Sequence, residues 1–135
     1  MTDEDQIRGL IEGWAAAVQA RDLPGVLADH ATDIVMFDVP PPYEGVRGLD
    51  AYRDSWPQFF DWLASGATFE IESMQVTTGP DVAVAYGLLR CGTPAGFERD
   101  PRQRLRLTVG LRKTGGRWIV VHEHHSFTDT SGPAG

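Results

Sequence analysis

From Arg104 to Leu111 polar and apolar side chains alternate without a break. Leu105, Leu107, Val109 and Leu111 fall on one side, and Arg104, Arg106, Thr108 and Gly110 on the other. Only an extended strand gives that period of two, so the segment belongs to a sheet with one wet face and one face that must be covered. Further β-rich runs surround it, and the second half reads as a meander of strands over 67–77, 82–91, 102–112 and 117–127. Gly79-Pro80-Asp81, a Gly/Pro-rich stretch and Thr114-Gly115-Gly116 separate them as turns and loops. The cover has to come from the first half.

That half is helical. Thr2 can cap a helix whose first turn carries Asp3, Glu4 and Asp5, all favourable at the positive end of the helix dipole. Ile7, Leu10, Ile11, Trp14 and Val18 then share one face, to about Ala20. Asp22 can cap a short second helix, with Pro24 tolerated in its first turn. A short strand over 34–39 is stopped by Pro40-Pro41-Pro42, which cannot donate ladder hydrogen bonds. After it, Leu49, Tyr52, Trp56, Phe59, Phe60 and Leu63 repeat at helical spacing, and Pro57 should kink or restart that helix near Ser55-Trp56. Three N-terminal helices on one face of a mostly antiparallel sheet make an α+β sandwich, a single domain over 1–127. Residues 128–135 are small and polar and are expected to form a disordered tail.

With 135 residues and 41% hydrophobic content, the chain can bury one core. A formal charge of −7 argues against nucleic acid or an anionic membrane as partner, because both call for clustered basic residues. Cys91 is the one cysteine, which excludes an intramolecular disulfide and suits a reducing compartment. No apolar run approaches the length of a membrane span. The expectation is a soluble, cytoplasmic protein.

The chemistry-bearing residues gather in two places. The last strand carries three of the four histidines, His122, His124 and His125, around Glu123. Regular alternation puts His122 and His124 on the face of Trp118 and Val120, and Glu123 and His125 on the face of Ile119 and Val121; a β-bulge would exchange these faces. The pair can ligate a metal with Glu123 or His125 as a third ligand, can act as an acid/base, or can be structural at a strand end or interface. Elsewhere only His30 remains, so no metal is expected, and Gly115-Gly116 lacks a phosphate-loop pattern, so neither is any other cofactor.

Asp38 is the second place. It ends an apolar strand before the prolines, and a carboxylate set among aromatics loses hydration and becomes a stronger base. The alternative is an Asp that accepts backbone N–H groups of the turn. On the strand over 82–91, Val82, Val84, Tyr86, Leu88 and Arg90 share a face. If that face lines a cavity, Tyr86 offers a hydroxyl and Arg90 can hold an anion; otherwise they are an edge residue and a solvated cation. Arg104 and Arg106 belong to the outer face, offsetting Glu70 and Glu72. Trp14, Phe37, Tyr43, Trp56 and Phe60 are candidate pocket walls or core residues, and Cys91 is read as a small buried residue rather than a nucleophile.

The order helix, helix, short strand, helix, four long strands, together with Ile34-Val-Met-Phe-Asp38-Val-Pro, Tyr43-Glu-Gly45 and Gly116-Arg-Trp118-Ile-Val-Val-His-Glu-His124-His-Ser126, resembles the SnoaL-like, ketosteroid-isomerase-like branch of the nuclear-transport-factor-2-like (NTF2-like) superfamily. The resemblance covers about residues 4–127. It implies a cone of helices and curved sheet around a small apolar ligand, and commonly a homodimer through the outer sheet face. In ketosteroid isomerases an Asp followed closely by Pro after a short strand is the general base; here Pro40 comes one residue later. The resemblance and the residues together imply a cofactor-free enzyme acting on an apolar, carbonyl-containing, polyketide- or steroid-like molecule. Asp38 would take a proton, and His124 or His122 would return it or stabilise an oxyanion. Tyr86 and Tyr43 would be further donors, and Trp14, Phe37, Trp56 and Phe60 apolar walls. A non-catalytic binder and a hydrolase activating water through Asp38 and a histidine are the rivals, since this fold hosts all three.

Overall fold

The computed structural model describes residues 1–131; of the tail expected over 128–135, residues 132–135 lie outside the described residues. Helix α1 (Asp3–Gln19) begins as its sequence dictates: Thr2 Oγ1 accepts from the Asp5 N–H, and the Asp5 carboxylate accepts in return from the Thr2 N–H. Asp22 caps α2 (Leu23–Leu27) through the Gly25 N–H. Strand β1 (His30–Phe37) begins four residues earlier than expected, at His30 rather than Ile34, and pairs with a short β2 (Val46–Arg47) that no periodicity announces. The third helix is broken at Ser55 into α3 (Leu49–Asp54) and α4 (Trp56–Ala64), where Pro57 enters the first turn of α4.

Strands β3 (Thr68–Thr78), β4 (Val82–Gly92), β5 (Leu105–Thr114) and β6 (Arg117–Ser126) follow. The Gly/Pro stretch between β4 and β5, read as loop, holds a short helix α5 (Pro94–Arg99) capped by Thr93, with Pro94 at a position where its missing N–H loses nothing. The sheet order is β2-β1-β6-β5-β4-β3, and every neighbouring pair is antiparallel except β1 with β6. Leu105, Leu107, Val109 and Leu111 are buried, as alternation requires, and share one core with Ile7, Ile11, Trp14 and Val18 of α1. On the outer face Arg104 Nε is 2.9 Å from Glu72.

Two bulges re-aim side chains. In β6, Val120 opposes Leu111 but His122 opposes Gly110, so Val121 is an extra residue and the inward set changes from Trp118 and Val120 to Glu123 and His125. In β3, Ile71 opposes Leu89 and Ser73 opposes Leu88, so Glu72 is the extra residue. There the Ser73 carbonyl approaches Gly87 so closely that a Cβ would collide with backbone. Gly87→Ala is therefore expected to destabilise the fold by about 2 kcal/mol, because the obstructing atom cannot rotate away. Urea unfolding of the variant checks this, and an unchanged midpoint would mean that the bulge relaxes freely.

Candidate active site

Glu123 is 1% exposed, and the β6 bulge is what turns its carboxylate into the core. Burying a charge there is tolerable only if donors meet it. They come from separate elements: His30 Nε2 from the start of β1 lies 2.7 Å from Oε2, the Tyr52 hydroxyl of α3 donates to the same oxygen at 2.7 Å, and His125 Nε2 lies 3.0 Å from Oε1. Tyr52 in turn accepts from the Trp14 indole N–H of α1 at 3.0 Å. Burial alone would push the Glu123 carboxyl up, but the His125 and His30 donors and their charge outweigh it and bring it down to about 2. For His30, burial disfavours the cation, yet Glu123, the Ala28 carbonyl and Asp29 together raise it above the usual imidazole value. For His125, burial is likewise outweighed by Glu123 and Asp38, and its affinity for a proton is raised.

With Nε2 held by Glu123, His125 turns Nδ1 toward Asp38, 3.6 Å from Oδ1. The side chain of Asp38 is 25% exposed, just past the end of β1, and also accepts the Val39 N–H at 2.8 Å. Both residues line a cavity of about 450 Å³ between α4 and the sheet. Trp56, Phe59, Trp62, Phe69 and Phe127 form its aromatic wall, Ser55, Gln58 and Gln103 add neutral polar groups, and none of the lining residues is Lys or Arg. Cys91 also lines it, but burial, then the Asp38 charge, push its thiol up to about 12, which keeps it from acting as a thiolate. Among the described residues, no three His, Cys, Asp or Glu side chains form a set suited to a metal ion.

Of the residues singled out from sequence, the structure brings Asp38 and Trp56 to this cavity. The expected placement of His122 and His124 is corrected: the bulge turns both to the outer face, where the Phe37 ring packs edge-on against each, at 5.1 and 5.7 Å. Phe37 itself is 39% exposed there rather than a cavity wall. Tyr86 is also corrected, because β4 turns Ala85, Leu89 and Cys91 inward and leaves Val84, Tyr86 and Leu88 exposed outside. Arg90 packs over the Phe97 ring at 4.5 Å and does not line the cavity. Tyr43 is fully exposed in the proline turn. Neither Trp14 nor Phe60 lines the cavity: Trp14 is a buried core residue edge-on to His125 at 6.1 Å, and Phe60 is half-buried against the core, 6.0 Å from Trp56. Sequence reasoning missed His30, Tyr52 and Glu123 as a set, and placed His125 on the wrong face. The available signal was a lone carboxylate among histidines in an otherwise apolar strand, which needs internal partners wherever it is buried.

A helix-covered, curved and mostly antiparallel sheet closing on a cavity at one end defines an NTF2-like fold, and solved structures of that class superpose on it. One is an NTF2-like protein of unknown function from Pseudomonas putida KT2440, 36% identical with a TM-score of 0.81, the match covering 97% of this chain and 92% of that one. An NTF2-like protein with a cystatin-like fold from Novosphingobium aromaticivorans is 20% identical, TM-score 0.74, over 96% of this chain and 84% of its own. A protein from Shewanella frigidimarina provisionally named a ketosteroid isomerase is 20% identical, TM-score 0.68, over 87% and 92%. Residues 7–130 match the SnoaL-like domain, and the chain belongs to that family. No curated protein sequence matches it. No helix among the described residues is long and apolar enough to cross a membrane.

Proposed function

We propose that the protein catalyses proton transfer on a neutral, apolar, carbonyl-bearing small molecule, with Asp38 as base and His125 as acid. The observation that carries this reading is the Asp38–His125 pair, 3.6 Å apart in the wall of an aromatic cavity, with the far nitrogen of His125 fixed on Glu123. Asp38 would accept a proton from a carbon next to the carbonyl, the C–H electron pair moving into the new carbon–carbon double bond. The carbonyl oxygen would take a hydrogen bond from His125 Nδ1–H, which stabilises the charge that develops there. Returning the proton at another carbon gives isomerisation, whereas loss of a leaving group gives elimination. The raised proton affinity of His125 supports the acid role at neutral pH. A cavity of about 450 Å³ lies within the range of small-molecule sites, and Asp38 in a wall without Lys or Arg disfavours anionic ligands.

The test is a panel of neutral cyclic ketones and their carboxylated analogues in D2O. Tryptophan fluorescence reports binding through Trp56 and Trp62, and NMR reports deuterium entering the position next to the carbonyl. Saturable binding of the neutral ketones with protein-dependent exchange is expected, and weaker binding of the anions. Binding without exchange would establish a carrier rather than an enzyme, and the absence of both binding and exchange would overturn the proposal outright.

A further inference from the structure

We infer that His30 is a fixed imidazolium that neutralises Glu123 from the side away from the cavity, making it a positioning residue that keeps the proton on His125 transferable. The inference rests on the reading of His125 as the proton-donating group.

The hydrogen-bond inventory leads to it. His30 Nδ1 lies 2.7 Å from the Ala28 carbonyl, which has no hydrogen to give, so Nδ1 must carry one. Its Nε2 lies 2.7 Å from Glu123 Oε2, an oxygen that also receives the Tyr52 hydroxyl at 2.7 Å. The Tyr52 oxygen also lies 3.2 Å from His30 Nε2, but its hydrogen goes to Glu123, the shorter contact at 2.7 Å, while the oxygen accepts from Trp14 at 3.0 Å. A carboxylate with His30, Tyr52 and His125 all directed at it is held ionised. Nε2 of His30 must then be N–H as well. Both ring nitrogens carry protons, the side chain is 1% exposed, and the His30–Glu123 pair has no net charge.

That neutrality matters one bond further on. Glu123 Oε1 is 3.0 Å from His125 Nε2. An uncompensated carboxylate there would hold His125 doubly protonated across the working pH range, giving a strong ion pair and a poor proton donor. With His30 charged, the net negative charge facing His125 is Asp38 on the cavity side, where the proton has to go. The other ionisable groups nearby do not change this balance. Tyr52 is neutral, because burial and the Glu123 charge push its hydroxyl well above the usual phenol value. Cys91 is a thiol, and Asp29 beside His30 is paired with Arg117. The device turns a buried glutamate, which would lock its histidine, into one that orients it without trapping its proton.

Histidine-ring NMR of the full chain, without substrate, tests the inference. At about pH 8, where an ordinary histidine is neutral, wild-type His30 is expected to show both nitrogens protonated. In His30→Gln, which keeps a donor for Glu123 but no charge, the His125 midpoint is expected to rise by about one unit. In Asp38→Asn it is expected to fall by about one unit, because the remaining Glu123 charge is already cancelled. The Asp38 variant and the wild-type spectra decide the matter even if His30→Gln does not fold. A neutral His30 tautomer at pH 8, or a His125 midpoint that ignores Asp38, would overturn the inference. Since no ketone enters these measurements, failure of turnover and failure of the charge assignment are read separately.

Discussion

Glu123→Ala is expected to destabilise the protein by about 3–5 kcal/mol, a large part of the total stability of a domain this size. The change opens a cavity and takes away the acceptor that His30 Nε2 and the Tyr52 hydroxyl both meet at 2.7 Å, leaving those two only each other, 3.2 Å apart, and leaving His125 Nε2 without Glu123 in a site closed to water. Desolvated donors without acceptors cost more than the bonds they once made were worth. Glu123→Gln should lie between wild type and alanine, since its amide offers one acceptor oxygen and one donor group that opposes an N–H. The same cluster sets the acid side of the pH profile. The Glu123 carboxyl is at about 2 in the folded chain against 4.5 for a free one. Its contribution is therefore fully present above pH 4.5 and lost as pH falls toward 2, on the order of 3 kcal/mol in all. The histidines run the other way. His30 and His125 are raised above 6.5, so what they add is complete below that pH and is lost as pH rises through their folded values. Urea unfolding should show stability falling steeply below pH 4.5 in wild type, and that slope should largely vanish in Glu123→Ala. A slope that persists in the variant would place the acid-sensitive group elsewhere.

How much of this was legible beforehand depended on the range of the interaction. The β5 alternation, the Thr2 cap and the break before Trp56 are decided within a few residues, and each was recovered. The face of β4 was not, because both of its sides are apolar: Ala85 and Leu89 compete with Val84, Tyr86 and Leu88, and only the position of the covering helices selects between them. The histidine faces failed for a related reason. A single extra residue at Val121 inverts everything after it, and that bulge is fixed by pairing with β5 across the hairpin and with β1, which is far away in sequence. His30 had no local signature at all. Its role is created by Ala28, Tyr52 and Glu123, the last of them 93 positions distant. Asp38 was legible because a chain stop of three prolines fixes where β1 must end, whatever pairs with it.

Asp38→Asn is expected to lower turnover of any substrate found by the exchange assay by about 10²–10⁴-fold, with KM changed little. Asparagine keeps the volume and an oxygen that can accept the Val39 N–H, now at 2.8 Å, and the side chain is a quarter exposed. Folding should therefore lose no more than about 1.4 kcal/mol, the equivalent of the one-unit fall in the His125 midpoint. What disappears is the ability to take a proton, so the loss belongs in kcat. Substituting the other partner should look different. His125→Gln retains a donor for Glu123 Oε1, now met at 3.0 Å, yet has no group that exchanges a proton with the cavity. It should lose rate as well, together with the limb of the pH–rate profile that reports the acid. The double variant should be scarcely worse than either single one, because both act in the same proton transfer and their effects are not additive. Fully additive losses would mean that the two residues serve separate steps, and an Asp38→Asn enzyme within tenfold of wild type would move the base to another group in the cavity.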